Sequence, residues 1–179
     1  MQIAGCQPAT NVTRTITLPR GDGSTLNLTI QPLSLGFHRR LRERGIVAPA
    51  PPRRVARDAA GRPIRDESGL AVMLADDHDP QFLAEIEQYH QRVALLAIPE
   101  ALAADPQVRF EAQAPSSDAA AAAWMRYADD LNAELEAAGF TTGDLVRLCT
   151  EICRLSNLLD EQLTAAQAGF SQPPEDRGT

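Results

Sequence analysis

Apolar and polar residues alternate in the first part of the chain. Val12, Ile16 and Leu18 are interleaved with Thr13, Thr15 and Thr17; after Pro19-Arg20-Gly21-Asp22-Gly23-Ser24, Leu26, Leu28 and Ile30 alternate with Asn27 and Thr29. A period of two places each apolar set on one strand face, and Gly-Asp-Gly supplies the turn, so the pattern predicts a β-hairpin over 12–31. A lone hairpin is marginal in water, so its apolar face needs a cover.

The period then lengthens. Leu33, Phe37 and Leu41 share a face of a short helix from Ser34, as cap, to about Arg44, with Gly45 as its stop. Residues 47–68 bring Pro49, Pro51, Pro52, Pro63 and many Arg but few large apolar side chains, which is linker composition and predicts a mobile segment. Two turns, 58–63 and 66–69, flank a β-arm ending in Leu70-Ala71-Val72-Met73-Leu74. No internal repeat is apparent.

Asp79-Pro80 opens the next helix with a carboxylate cap and a proline at the first helical position. Its stripe is Phe82, Leu83, Ile86, Tyr89, His90, Val93, Leu96 and Ala97, and Pro99 is expected to end or kink it. Ser117 or Asp118 opens a further helix with Trp124, Tyr127, Ala128, Leu131, Leu135 and Ala138 as its stripe and Gly139 as its stop. The last helix begins at Thr141 and Asp144, spaced close to a capping box. Leu145, Leu148, Cys149, Ile152, Leu155 and Leu159 mark its inner face, and Val146, Cys153, Leu158 and Leu163 widen it. Trp124 is expected in the core against this last helix.

The elements give an α+β chain, mainly α, with an N-terminal β-hairpin packed on a small helical bundle. The expected segments are 1–46 (hairpin and short helix), 47–78 (Arg/Pro-rich insert or linker), 79–170 (helical region) and 171–179 (a disordered tail). At 179 residues this fits one domain.

Composition adds two points. Aromatics are 4% of residues while Ala is abundant, which favours close helix packing over a sheet sandwich. All 17 basic residues are Arg, so the choice of Arg at any one place says little about bidentate recognition. The net charge of -7 is segregated: residues 1–60 hold nine Arg against three acids (+6), and residues 61–179 hold eight Arg against 21 acids (-13). A basic cluster suggests nucleic acid, but no interleaved aromatics or nucleic-acid motif accompany it, so nucleic acid is not an expected partner. Pairing with the acidic part of the same or a neighbouring chain accounts for the cluster, and a homo-oligomer fits that pattern.

The search for chemistry returns little. Cys149 and Cys153 share a helix face without further metal ligands at the right spacing, and read as buried, reduced thiols. Asp76-Asp77-His78-Asp79 is a run of adjacent residues, which cannot all turn to one ion, and it lacks the spacing of a calcium loop. Arg20-Gly21-Asp22, Asn11-Val12-Thr13 and Asn27-Leu28-Thr29 match adhesion and glycosylation motifs by chance. There is no phosphate loop and no nucleophile elbow. An enzyme, a cofactor and a metal are therefore not expected. Nor is a membrane span, since no apolar run approaches the length required, and the N-terminus lacks the pattern of a secretory signal. A cytoplasmic protein, in the host cytoplasm if viral, is the expectation.

Taken in order, several pieces resemble tail assembly chaperones of long-tailed, siphovirus-like bacteriophages. They are the strand pair leading into Leu33-Ser34-Leu35-Gly36-Phe37, the Arg/Pro-rich insert, and Asp79-Pro80-Gln81-Phe82-Leu83-Ala84-Glu85-Ile86 with Tyr89-His90-Gln91-Arg92-Val93-Ala94. The segment from Trp124 through Leu131, Ala138-Gly139-Phe140 and Leu145 to Leu159 completes the likeness, which spans most of residues 12–170. The resemblance implies a protein outside the finished virion that binds the long, helical tape measure protein and recruits tail tube subunits. It carries no residue-level binding motif. Physical reasoning alone singles out Phe110, Leu158, Leu163 and Phe170, large apolar side chains at stripe edges or in loops, as candidate partner contacts. The alternatives are a structural virion component, such as a connector or minor tail protein, and a nucleic-acid-binding regulator using the Arg cluster.

Overall fold

The computed structural model describes residues 12–156. The fold is α+β, mainly α, with an antiparallel hairpin at its N-terminal end. Strands β1 (Arg14–Pro19) and β2 (Thr25–Ile30) pair in the register Ile16↔Leu28 and Leu18↔Leu26. They are followed by α1 (Phe37–Glu43), the short strands β3 (Arg53–Val55) and β4 (Met73–Ala75), and the helices α2 (Pro80–Leu102), α3 (Ala121–Ala137) and α4 (Thr142–Leu155). No described helix is long and apolar enough to cross a membrane.

The chain clusters into two units, and α2 and α3 each contribute to both. Among the described residues, one unit contains those up to Phe37, Ala97–Glu111 and those from Ala133 onward; the other contains His38–Leu96 and Ala112–Asn132.

In the first unit the alternation of the hairpin becomes a buried face of Ile16, Leu18, Leu28 and Ile30, joined by Ile98, Ala101, Leu102, Leu135, Leu148 and Ile152. Polar locks fix this cover. The buried carboxylate of Asp105 accepts from the Thr29 N–H at 2.6 Å and the Gln107 N–H at 2.9 Å. Gln31 donates through its backbone to the Ala101 carbonyl and through its amide to the Glu100 carbonyl, satisfying acceptors that a helix end leaves open. Those bonds and the burial of Ile98 and Leu102 outweigh the cost of Pro99, which lies inside α2 rather than ending it. The Ser34 N–H and hydroxyl donate to Glu100, and the Ser34 carbonyl takes the Phe37 N–H in a turn, so α1 starts at Phe37.

In the second unit Leu41, Ile46, Ala56, Leu95, Leu96, Trp124, Tyr127, Ala128 and Leu131 are buried. Gly45 closes α1 at φ 77, with the Ile46 N–H reaching the Leu41 carbonyl, as its position predicts. The Asp79 carboxylate caps α2 through the Phe82 N–H at 2.9 Å. Trp124 is buried, its ring meeting Tyr127 edge-on and the Arg44 guanidinium at 3.8 Å. At the start of α3 the Ser116 carbonyl takes the Ala119 N–H in a turn, so the helix begins at Ala121, past Ser117 and Asp118.

The segment expected as an Arg/Pro-rich insert or linker, with two turns and a β-arm, contains a closed β structure that includes both turns. Beyond the β3–β4 pair, Arg57 bridges Pro63 and Arg65 bridges Ala71. At the centre three backbones bond in a ring: Ala56 N–H to the Val72 carbonyl, Val72 N–H to the Ile64 carbonyl, and Ile64 N–H to the Ala56 carbonyl, at 2.8–2.9 Å. Residues 56, 64 and 72 are eight apart, and the segment is an octapeptide repeat: Arg57-Asp58-Ala59-Ala60-Gly61-Arg62-Pro63-Ile64, then Arg65-Asp66-Glu67-Ser68-Gly69-Leu70-Ala71-Val72. The repeat is a correction to the reading of the sequence.

The two copies form the same turn. Asp58 Oδ1 accepts from the Ala60 and Arg62 N–H groups, and Asp66 Oδ1 from those of Ser68 and Leu70, all at 2.9 Å. Arg57 donates to the Gly61 carbonyl and Arg65 to the Gly69 carbonyl. Both glycines have positive φ, 77 and 79, where any other residue would be strained. We call residues 53–75 the knob, and its two turns the leaves.

Candidate partner-binding surfaces

The first surface is α4. Thr141 and Asp144 form the full capping box: the Thr141 hydroxyl accepts from the Asp144 N–H, and the Asp144 carboxylate accepts from the Thr141 N–H. Arg20, from the hairpin turn, donates to Asp144 at 2.9 Å and to the Gly139 carbonyl at 3.0 Å, and lies over the Phe140 ring. Arg14 pairs with Glu151, and Ser156 Oγ accepts from the Leu33 N–H. The hairpin thus fixes which face of α4 is covered. The apparent adhesion tripeptide is consumed in the same structure, since Asp22 is held by the Ser24 N–H and hydroxyl.

Leu148 and Ile152 go to the core, whereas Leu145, Cys149, Cys153 and Leu155 are half-buried and Val146 is 62% exposed. Burial, with a smaller contribution from Cys153, pushes the Cys149 thiol up to about 11, and burial also raises Cys153. Both therefore remain neutral thiols at physiological pH. Val146, Cys149 and Cys153 form an uncharged row on one side of the helix, with little reactivity toward electrophiles.

Of the residues singled out in the sequence, Phe110 is half-buried in the segment between α2 and α3, where the adjacent Glu111 N–H bonds to Glu134. Leu158, Leu163 and Phe170, like the tail 171–179, lie outside the described residues.

The second unit presents two further features. A cavity of ≈ 220 Å³ is lined by Ile46, Val47, Glu85, Tyr89, Leu96 and Met125. Arg92, also on its wall, pairs with Asp129 at 3.3 Å. Along α2 the predicted stripe is only partly covered: Phe82, Ile86, Tyr89 and Val93 are half-buried, Leu83 is 49% exposed, and His90 is exposed. Val47 and Met125 were not candidates in the sequence; Ile46-Val47 following the Gly45 stop was the available signal. On the knob Ile64, Leu70, Met73 and Leu74 are exposed, as are Arg53, Arg54, Arg57, Arg62 and Arg65.

The acidic run is spent on structure, with Asp76 paired to Arg54 and Asp79 capping α2. Among the described residues no group of three or more His, Cys, Asp or Glu is placed to hold a metal ion. Comparison with protein families, characterised proteins and solved structures finds no match to this chain.

Proposed function

We propose that the chain is a tail assembly chaperone of a long-tailed bacteriophage, acting in the host cytoplasm on the tape measure protein and tail tube subunits, and not an enzyme. The resemblance of the sequence to that family, piece by piece over most of residues 12–170, motivates the reading. The observation that carries the binding role is the neutral row Val146, Cys149 and Cys153, exposed at Val146 and half-buried at the two cysteines among the described residues, on a helix whose other face is locked to the hairpin. A helix with a partly exposed apolar row accepts an amphipathic partner helix, the form expected of a tape measure protein.

Co-expression with the tape measure protein tests this. The wild-type chain should co-purify with it, whereas Val146→Asp and the double change Leu158→Asp, Leu163→Asp should stay folded and lose it. Undiminished capture by all these variants, or abundant copies of the chain in purified virions, would overturn the reading; the latter would favour a structural virion component.

A further inference from the structure

We propose that the knob is a self-association element that docks into the α2 cleft of a second copy of this chain. The inference does not depend on the chaperone reading.

The argument starts from how the knob holds its shape. Its three-way backbone ring and two aspartate-bound turns satisfy its polar groups locally, so its form does not require burial of its own aliphatic side chains. Leu70 is 67% exposed, Leu74 50%, Met73 47% and Ile64 44%. A segment ordered by its own hydrogen bonds that leaves four large aliphatic groups open is built for contact.

Charge selects the occupant. Arg53, Arg57 and Arg65 meet no carboxylate among the described residues; Arg57 and Arg65 each reach only a glycine carbonyl. The partner surface must therefore bring a carboxylate free of ion pairs beside an apolar recess. This chain has both. Glu85 lines the apolar cavity, is exposed and has no ion pair among the described residues, while Arg92 on the same wall is taken by Asp129. At ≈ 220 Å³ that cavity exceeds the roughly 150 Å³ that accommodates benzene, so a leucine side chain fits. Knob and cleft belong to the same unit, so a two-fold pairing uses both at once and forms two equivalent contacts. The sequence pI of 4.9 argues against nucleic acid as the occupant.

Sedimentation of the full chain over a concentration series, at low and high salt, tests the proposal. The wild type should form a dimer that weakens with salt as the charge pairs are screened. Leu70→Glu, and separately Glu85→Arg, should each raise the dissociation constant at least tenfold while leaving circular dichroism and melting unchanged. Mixing the two variants should restore a heterodimer, because one intact knob and one intact cleft remain. The cleft variant lies on a different element, so it keeps the test decisive if the knob variant loses structure. A wild type that stays monomeric at every concentration overturns the proposal, as does a Leu70→Glu chain that dimerises like wild type. So does an Arg53→Glu chain that loses retention on duplex DNA while dimerising normally, since the knob would then serve nucleic acid.

Discussion

In the N-terminal hairpin Ile16, Leu18, Leu28 and Ile30 are buried, whereas in the knob Ile64, Leu70, Met73 and Leu74 lie open. Both regions are short antiparallel pairs joined by Gly- and Asp-containing turns, yet they are held by different means. The hairpin depends on what its apolar face covers, at about 1.5–3 kcal/mol for each large side chain buried. The knob depends on hydrogen bonds made within 23 consecutive residues, Arg53 to Ala75, by arginine, aspartate, glycine and the backbone. Burial makes a strand pair part of a core; local closure makes one that can stand at the surface.

Removing one apolar side chain from each region gives the largest contrast. Leu18→Ala should cost about 2–5 kcal/mol, because Leu18 has no exposed surface and its loss leaves a cavity. Leu70→Ala should stay within about 0.5 kcal/mol at concentrations where the chain is monomeric. Urea denaturation followed by circular dichroism measures both. Similar costs for the two would show that the knob is covered as the hairpin is, and the comparison would fail.

The same contrast explains what the sequence made legible. Where burial orders the chain, its residues carry a period: the alternation of 12–31 predicts β1 and β2, and the stripe containing Trp124, Leu131 and Leu135 predicts α3. Caps and stops are equally local, so Asp79, Thr141, Gly45 and Gly139 read correctly. The knob has no buried period to detect, and its Arg, Pro and Gly content matches that of a linker. Its signal was the spacing Arg-Asp-x-x-Gly repeated after eight residues, which has meaning only once the Ala56, Ile64 and Val72 backbones are seen to meet. Turns ahead of the helices hid other features. Ser34 and Asp118 are both good caps by type, but turns at Ser34 and Ser116 delay α1 and α3. Val146 was legible as an edge residue of α4; the cleft was not, because its walls come from segments far apart in sequence.

Glycine substitution sharpens the comparison at an intermediate level. Gly61→Ala and Gly69→Ala should each destabilise their leaf by roughly 1–2 kcal/mol, since a Cβ at φ 77 or 79 is strained although nothing lies within 4 Å of it. The cost should be local: trypsin should cleave faster at Arg57 and Arg65, with global melting almost unchanged. A fall in global melting comparable to that of Leu18→Ala would mean that the knob supports the whole second unit.

The smallest expected effect tests the polar lock that ties the hairpin to α4. Thr141→Ala removes the hydroxyl that accepts from Asp144 and should cost about 1 kcal/mol. The Asp144 carboxyl is held below its usual 3.8, first by the Thr141 N–H, then by the Thr141 hydroxyl, with burial opposing and the Arg20 guanidinium assisting. A carboxyl whose native pKa lies below its unfolded value binds protons more readily when unfolded. Its contribution is therefore complete above about pH 4 and is lost as pH falls through the native value. Asp58, held down mainly by the Arg62 N–H, follows the same rule, but its loss should loosen only one leaf. Melting of the wild type should accordingly fall as pH drops below about 4. Asp144→Asn should begin from a lower melting temperature and fall less over that range, whereas Asp58→Asn should follow the wild-type slope. If Asp144→Asn and wild type fall in parallel, the capping box is not what couples the first unit to acid. If Asp58→Asn flattens the slope instead, the knob bears more of the stability than its exposed side chains allow.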